Sequence, residues 1–264
     1  MKIFDTHVHY DDQAFDQDRE AVITGLNGEN VANITNIGFD LESSRNTVEL
    51  TKKYPFIYGA VGIIPEHAHE GNEENLAEIE KLASENEKVC AIGEIGLDYH
   101  YDDGPSKEKQ AEVFLAQMDI ARRLGLPIAI HSRDAAEDTL NLMKKAHAEE
   151  IGGVMHCYSY SWETAEILLK MGFYFGIGGV VTFKNSKKLK RVVENLPIGN
   201  IVLETDGPYL SPDPFRGKRN DSSRLKYVVE KIAELKNMDP EEVARITFAN
   251  AVKMYGLEGS QYLR

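Results

Sequence analysis

The sequence predicts an α/β protein of the (β/α)8 barrel class, and three observations predict it. Eight short apolar runs rich in β-branched residues alternate with helical stretches, the pattern of parallel βαβ units. The chain has 264 residues, close to the roughly 250 typical of one such barrel. Histidines and carboxylates recur at one end of the strand candidates, where barrels of this class carry their chemistry. A doubly wound sheet would accept the same alternation, but no glycine fingerprint for a dinucleotide follows any strand.

In chain order the strand candidates are Ile3-Phe4, extending toward Thr6, then Val31 to Ile37, Ile57 to Val61 and Val89 to Ile92. Pro127 to Ile130, Gly153 to Met155, Phe173 to Ile177 and Ile201 to Leu203 complete the eight. Apolar periodicity places helices over Glu42 to Lys52, Asn75 to Glu85, Glu108 to Leu124 and Ala135 to Ala148. Further helices cover Glu163 to Met171, Lys187 to Glu194 and Arg224 to Lys236. Pro240 to Met254 forms an additional helix packed against the barrel. No repeat, linker or low-complexity tract divides the chain, so residues 1–264 read as one domain.

His7 and His9, two residues apart at the end of the first strand, point to the same face. That is the spacing of two ligands to one metal ion. Glu94 follows strand 4, His131 strand 5, His156 strand 6 and Asp206 strand 8. A lone histidine ending a strand is more often a loop or core residue than a ligand. Six such residues converging on one barrel mouth instead read as a metal centre, since imidazole and carboxylate bind divalent ions.

A formal charge of −13 and an apolar fraction of 42% describe an acidic, well-cored globular protein. No apolar run approaches 18 residues, so no membrane span or membrane partner is expected. The apolar core starts almost at residue 1, leaving no room for a removable leader, and the expected location is the cytoplasm. Cys90 and Cys157 are the only cysteines and read as buried free thiols on strands. No obligate protein partner is evident. The charge also argues against long-range attraction to duplex DNA. It favours a strand end, a single strand or a small phosphoester.

The longer motifs are Asp5-Thr6-His7-x-His9, Phe15-Asp16-x-Asp18-Arg19, Ile92-Gly93-Glu94-Ile95-Gly96-Leu97-Asp98-Tyr99 and Ile130-His131-Ser132-Arg133-Asp134-Ala135. They continue with Met155-His156-Cys157-Tyr158-Ser159, Glu204-Thr205-Asp206-x-Pro208-Tyr209-Leu210 and Pro214-Phe215-Arg216-Gly217-Lys218-Arg219-Asn220. In this order they resemble the TatD family of metal-dependent hydrolases, often described as TatD-type deoxyribonucleases, along essentially the whole chain. The resemblance implies an amidohydrolase-type TIM barrel with two divalent ions, Zn, Mn, Mg, Fe and Ni being equally compatible. It implies that His7, His9 and Asp206 hold one ion, that His131 and His156 hold the other, and that Glu94 is shared. Two ions so held clamp the attacking and leaving oxygens of a phosphodiester and lower the pKa of bound water. Asp206 and Glu94 are then the catalytic carboxylates, Asp206 as general base, with Glu204 bracing a ligand from behind. The family name implies a 3′-end DNA exonuclease.

Arg133, Arg216, Lys218 and Arg219 are the candidate substrate contacts, because guanidinium forks suit phosphate oxygens. The alternative for the Arg216 to Arg219 loop is that these side chains only pin it in place. His100 is a candidate rim contact. His67-Ala68-His69 reads as a solvated surface pair, His147 as a surface residue of a charged helix, and Lys184, Lys187, Lys188, Lys190 and Arg191 as a solvated face. Four positions depart from the family pattern: Ile64 where a histidine often precedes the proline, Tyr160 for glycine, Val180 for proline, and Gly207 for Cys, Ser or Ala. Two other functions stay open beside the phosphodiesterase: hydrolysis of an amide, ester or lactone, and a non-catalytic metal-binding barrel.

Overall fold

A computed structural model describes residues 1–264, apart from the side chain of Asn27. One parallel sheet runs β1 (Ile3–Val8), β2 (Val31–Ile37), β3 (Ile57–Val61), β4 (Val89–Asp98), β5 (Ile128–Arg133), β6 (Gly153–Met155), β7 (Tyr174–Ile177) and β8 (Ile201–Leu203), each strand beside the next. The helices are α1 (Arg19–Gly25), α2 (Leu41–Lys53), α3 (Glu73–Ser84), α4 (Lys107–Leu124), α5 (Ala136–Lys145), α6 (Trp162–Lys170), α7 (Lys187–Asn195), α8 (Leu225–Lys236) and α9 (Pro240–Met254). The predicted barrel class is therefore the observed one. Every residue of β1 to β4 is buried, as expected of a parallel sheet covered on its outer face and filled within.

Helix boundaries follow local chemistry. Asp40 and Ser43 cap α2 reciprocally, each side chain serving the other's backbone. Ser106 starts α4, and Gly125, at φ 66°, ends it in the left-handed region. Asp239-Pro240 opens α9 with a side-chain cap followed by proline at the first helical position. In α7 Lys187, Lys188 and Arg191 are exposed as expected, Lys190 instead donates to the Phe183 carbonyl at 2.6 Å, and Leu189, Val192 and Val193 are buried.

The barrel closes between β1 and β8 through loop backbone. Val8 bridges Gly207, His9 N donates to Gly207 O at 2.8 Å, and Asp206 N donates to His7 O at 2.9 Å. Buried Asp5 reinforces this seam by accepting from Thr205 N (2.9 Å), Thr205 Oγ1 (2.6 Å) and Ser222 Oγ (2.6 Å). Burial pushes its carboxyl up to about 7. The seam carries three of the six candidate ligands, His7, His9 and Asp206, so it also sets where they stand.

Three strands outrun the sequence prediction, and one helix was not foreseen. β1, β4 and β5 continue through polar residues that read as loop, so His7, Glu94 and His131 lie within strands. α1 buries only Ile23 over seven residues and contains Thr24 and Gly25, too short and weakly patterned to announce itself. Cys157 lies after β6 at φ 44° and is only partly buried, whereas Cys90 is a buried strand residue as expected. His147 stands beyond the end of α5, in the left-handed region.

Candidate metal centre

The six candidate ligands meet at the C-terminal mouth of the barrel, around the carboxylate of Glu94. Its two oxygens face different histidine pairs. Oε2 lies 3.3 Å from His7 Nε2 and 3.9 Å from His9 Nε2. Oε1 lies 3.0 Å from His131 Nδ1 and 3.7 Å from His156 Nε2. Asp206 Oδ1 approaches from β8, 3.6 Å from both His9 Nε2 and His156 Nε2 and 3.9 Å from His7 Nε2. Donor atoms of His7, His9 and Glu94 all fall within 4.8 Å of one another, and so do those of Glu94, His131 and His156.

Hydrogen bonds behind the site fix which ring nitrogen faces it. His9 Nδ1 is held by the Ile37 carbonyl at 2.8 Å, turning Nε2 inward. His156 Nδ1 is held by Glu204 Oε2 at 3.1 Å, and Glu204 Oε1 also accepts from Cys157 N at 2.6 Å. His131 is turned the other way: Nε2 meets Asp98 Oδ2 at 2.9 Å, leaving Nδ1 toward Glu94. Such outer partners set ring orientation and ligand basicity. Glu204 takes the bracing position expected of it. Asp98 was missed as a positioning residue, although it shares a strand face with Glu94, four residues on along β4.

The donor set suits divalent cations. His7 Nε2 and His9 Nε2 stand 3.3 Å apart, and the His7 and His156 rings stack at 3.5 Å. Packed imidazoles of this kind, with buried carboxylates between them, form an arrangement that a cation between the donors would satisfy. Burial alone would lower His9, His131 and His156, but Asp206 and Glu94 raise His9 to about 9. Asp98 and Glu94 raise His131 to about 10, and Glu204 and Glu94 raise His156 to about 9. His7 is lowered by burial and by His156. Burial would raise Glu94 and Asp206, yet the surrounding imidazoles hold both below the usual carboxylate range.

A cavity of about 650 Å³ opens over these residues. Phe39, Ile64 and Val180 give it an apolar side, while Arg133 and Tyr101 stand on its rim, the guanidinium carbon 5.3 Å from the ring centre. His67 was read as part of a solvated pair, but it lines this cavity and meets Phe39 edge-on at 6.0 Å. The short 3-10 turn of Pro65–Glu70 rolls it inward, and leaves His69 outside. Glu66, also in the cavity wall, is raised above the ordinary glutamate value by burial. His100 bonds Asp134 Oδ2 at 2.9 Å. Tyr160 Oη meets Ser132 Oγ at 2.8 Å, tying the end of β5 to the loop after β6.

The other candidate substrate contacts lie further out. Arg219 closes its fork on Asp18, both bonds 2.7 Å, and also donates to the Ala14 carbonyl at 2.8 Å. It therefore pins the β8 loop to the β1 loop. Arg216 and Lys218 stay exposed on that loop, in the wall of a neighbouring cavity.

Comparison with known proteins agrees with this fold. The family model for TatD related DNase matches residues 4–256. The uncharacterised metal-dependent hydrolase YabD of Bacillus subtilis is 48% identical, the match covering 96% of this chain and 98% of YabD. The uncharacterised metal-dependent hydrolase YcfH of Escherichia coli K12 is 31% identical, over 99% of this chain and 98% of its own. The crystal structure of the TatD homologue YJJV from Escherichia coli K12 superposes with a TM-score of 0.90 at 28% identity, covering 96% of this chain and 98% of that one. The chain belongs to the TatD family of metal-dependent hydrolases.

Proposed function

We propose that this hydrolase cleaves phosphodiester bonds, removing nucleotides from the 3′ end of single-stranded DNA. The observation that carries the reading is the Glu94 carboxylate, one oxygen toward His7 and His9 and the other toward His131 and His156. A carboxylate shared in this way suits a pair of divalent ions, His7, His9, Glu94 and Asp206 holding one and Glu94, His131 and His156 the other. Paired ions act as Lewis acids that offset phosphoryl charge and make water acidic enough to attack near neutral pH.

The protein's own groups do the rest. Asp206, ionised and 17% exposed at the floor of the cavity, is placed to accept the proton of the attacking water. Glu204 and Asp98 keep His156 and His131 from rotating. Arg133 reaches over the rim, where its fork suits non-bridging phosphate oxygens. A strand end needs only this small footprint, consistent with a chain of charge −13.

A second reading, hydrolysis of an ester or lactone, draws on the apolar wall of Phe39, Ile64 and Val180, which would accept an alkyl group. One panel separates the two: a single-stranded oligonucleotide, bis-p-nitrophenyl phosphate, a simple amide and a lactone, each with added manganese or with chelator. The expected result is manganese-dependent release of mononucleotides from the 3′ end. Turnover of the lactone or amide with both phosphodiesters untouched would overturn it.

A further inference from the structure

Large exposed apolar side chains are confined to one place on this protein. Among the described residues they are Tyr101, Tyr209 and Leu210, at 53%, 54% and 38% exposure, and all three line the metal-centre cavity. Concentration of this kind marks a ligand-binding face. Tyr209 and Leu210 are also a wall of a second, more open cavity of about 940 Å³ beyond the β8 loop. The two cavities are thus adjacent rooms sharing one partition.

The charges of the second room are unevenly committed. Asp12 Oδ2 accepts from Tyr209 Oη at 2.9 Å, which also fixes the ring, and its Oδ1 accepts from Ala14 N. Asp16 pairs with Arg19 at 2.6 Å, and Arg219 with Asp18. Arg216 and Lys218 remain, with no carboxylate partner among the described residues. The Arg216 guanidinium lies 4.4 Å over the Phe183 ring, a contact that orients its plane.

We propose that the second cavity is an outer subsite for single-stranded nucleic acid. With the scissile phosphodiester at the metal centre, a base on its 5′ side stacks on Tyr209, and the phosphate beyond is held by Arg216 and Lys218. This rests on the phosphodiesterase reading and deepens it, making the preferred substrate an oligonucleotide rather than a mononucleotide ester. Aromatic faces that take any base, beside cations that track the backbone, are how proteins bind single strands without reading sequence.

The test measures binding and turnover separately, with the protein as purified. The binding probe is fluorescein-labelled hexathymidylate with phosphorothioate linkages at its 3′ end, followed by anisotropy across a salt series. The double variant Arg216→Ala/Lys218→Ala should bind about tenfold more weakly. Its plot of log affinity against log salt should be shallower by about 1.4, at about 0.7 for each lost phosphate contact. Tyr209→Ala should also weaken binding, and Tyr209→Phe, which keeps the ring, should restore most of it. In turnover, the advantage in kcat/KM of unmodified hexathymidylate over bis-p-nitrophenyl phosphate should shrink about tenfold in the double variant. Wild-type affinity and salt slope in that variant would overturn the subsite. A hexamer that binds as described but is not cut would count against the hydrolytic reading alone and leave the subsite standing.

Discussion

At the scale of single residues, the centre depends on which nitrogen each histidine presents. Ile37, Glu204 and Asp98 make that choice for His9, His156 and His131. Asp206 lines the cavity with these histidines, and as the carboxylate beside them it is the group placed to take a proton there. Asp206→Asn keeps the size of the side chain but removes the proton acceptor. Turnover of bis-p-nitrophenyl phosphate should fall about 10²–10⁴-fold, the usual worth of general base catalysis, a far larger effect than the loss of stability from weakened pairing with the histidines. An unaltered kcat would remove Asp206 from the proton path. The convergence of the candidate ligands was legible in the sequence because each ends an apolar run, and the run gives its place on the barrel. The sequence left Arg219 between phosphate contact and loop pin, since its partner Asp18 lies 201 residues away and only the closed barrel joins the two loops. His67 was misjudged for a similar reason: its flanking glutamates suggested solvent, and the turn that rolls it against Phe39 has no apolar pattern.

At the scale of elements, the strand core was readable and the strand ends were not. β1, β4 and β5 extend through His7, Glu94 and His131 because the barrel's hydrogen bonding continues past the apolar residues that mark a strand. Neighbouring strands also make room for the site. A Cβ on Gly176 of β7 would stand 2.1 Å from Glu204 Oε2. Gly176→Ala should therefore fold, because the tip of a flexible side chain can move, but it should displace the brace behind His156. Loss of such a partner typically costs 10–100-fold in metal affinity. Competition with a chromophoric chelator would measure it, and wild-type affinity in a folded variant would show that Glu204 does not position His156.

At the scale of the whole molecule, barrel closure, proton balance and metal binding are linked. The neighbouring carboxylates push His9, His131 and His156 up from the free imidazole value of 6.5 to about 9, 10 and 9. The folded state therefore holds extra protons from about pH 6.5 up to about 10. The stability they contribute is complete below 6.5 and is lost as pH rises through 9 to 10. Glu94 and Asp206 are depressed, so their contribution is present above the free carboxylate values and lost as pH falls below them. Metal ligands must be deprotonated, so the rise in melting temperature on adding manganese, relative to chelator, should grow from pH 6 to pH 9. A rise that shrinks over this range would contradict the assignment of these imidazoles as ligands. The most direct test of the account is the metal content of the wild-type chain against that of His131→Ala/His156→Ala, both purified without chelator and measured by elemental analysis. The account predicts two divalent ions per chain falling to one, the ion held by His7, His9 and Asp206 remaining. A folded double variant that keeps the full wild-type stoichiometry would contradict the shared-carboxylate centre on which the proposed chemistry stands.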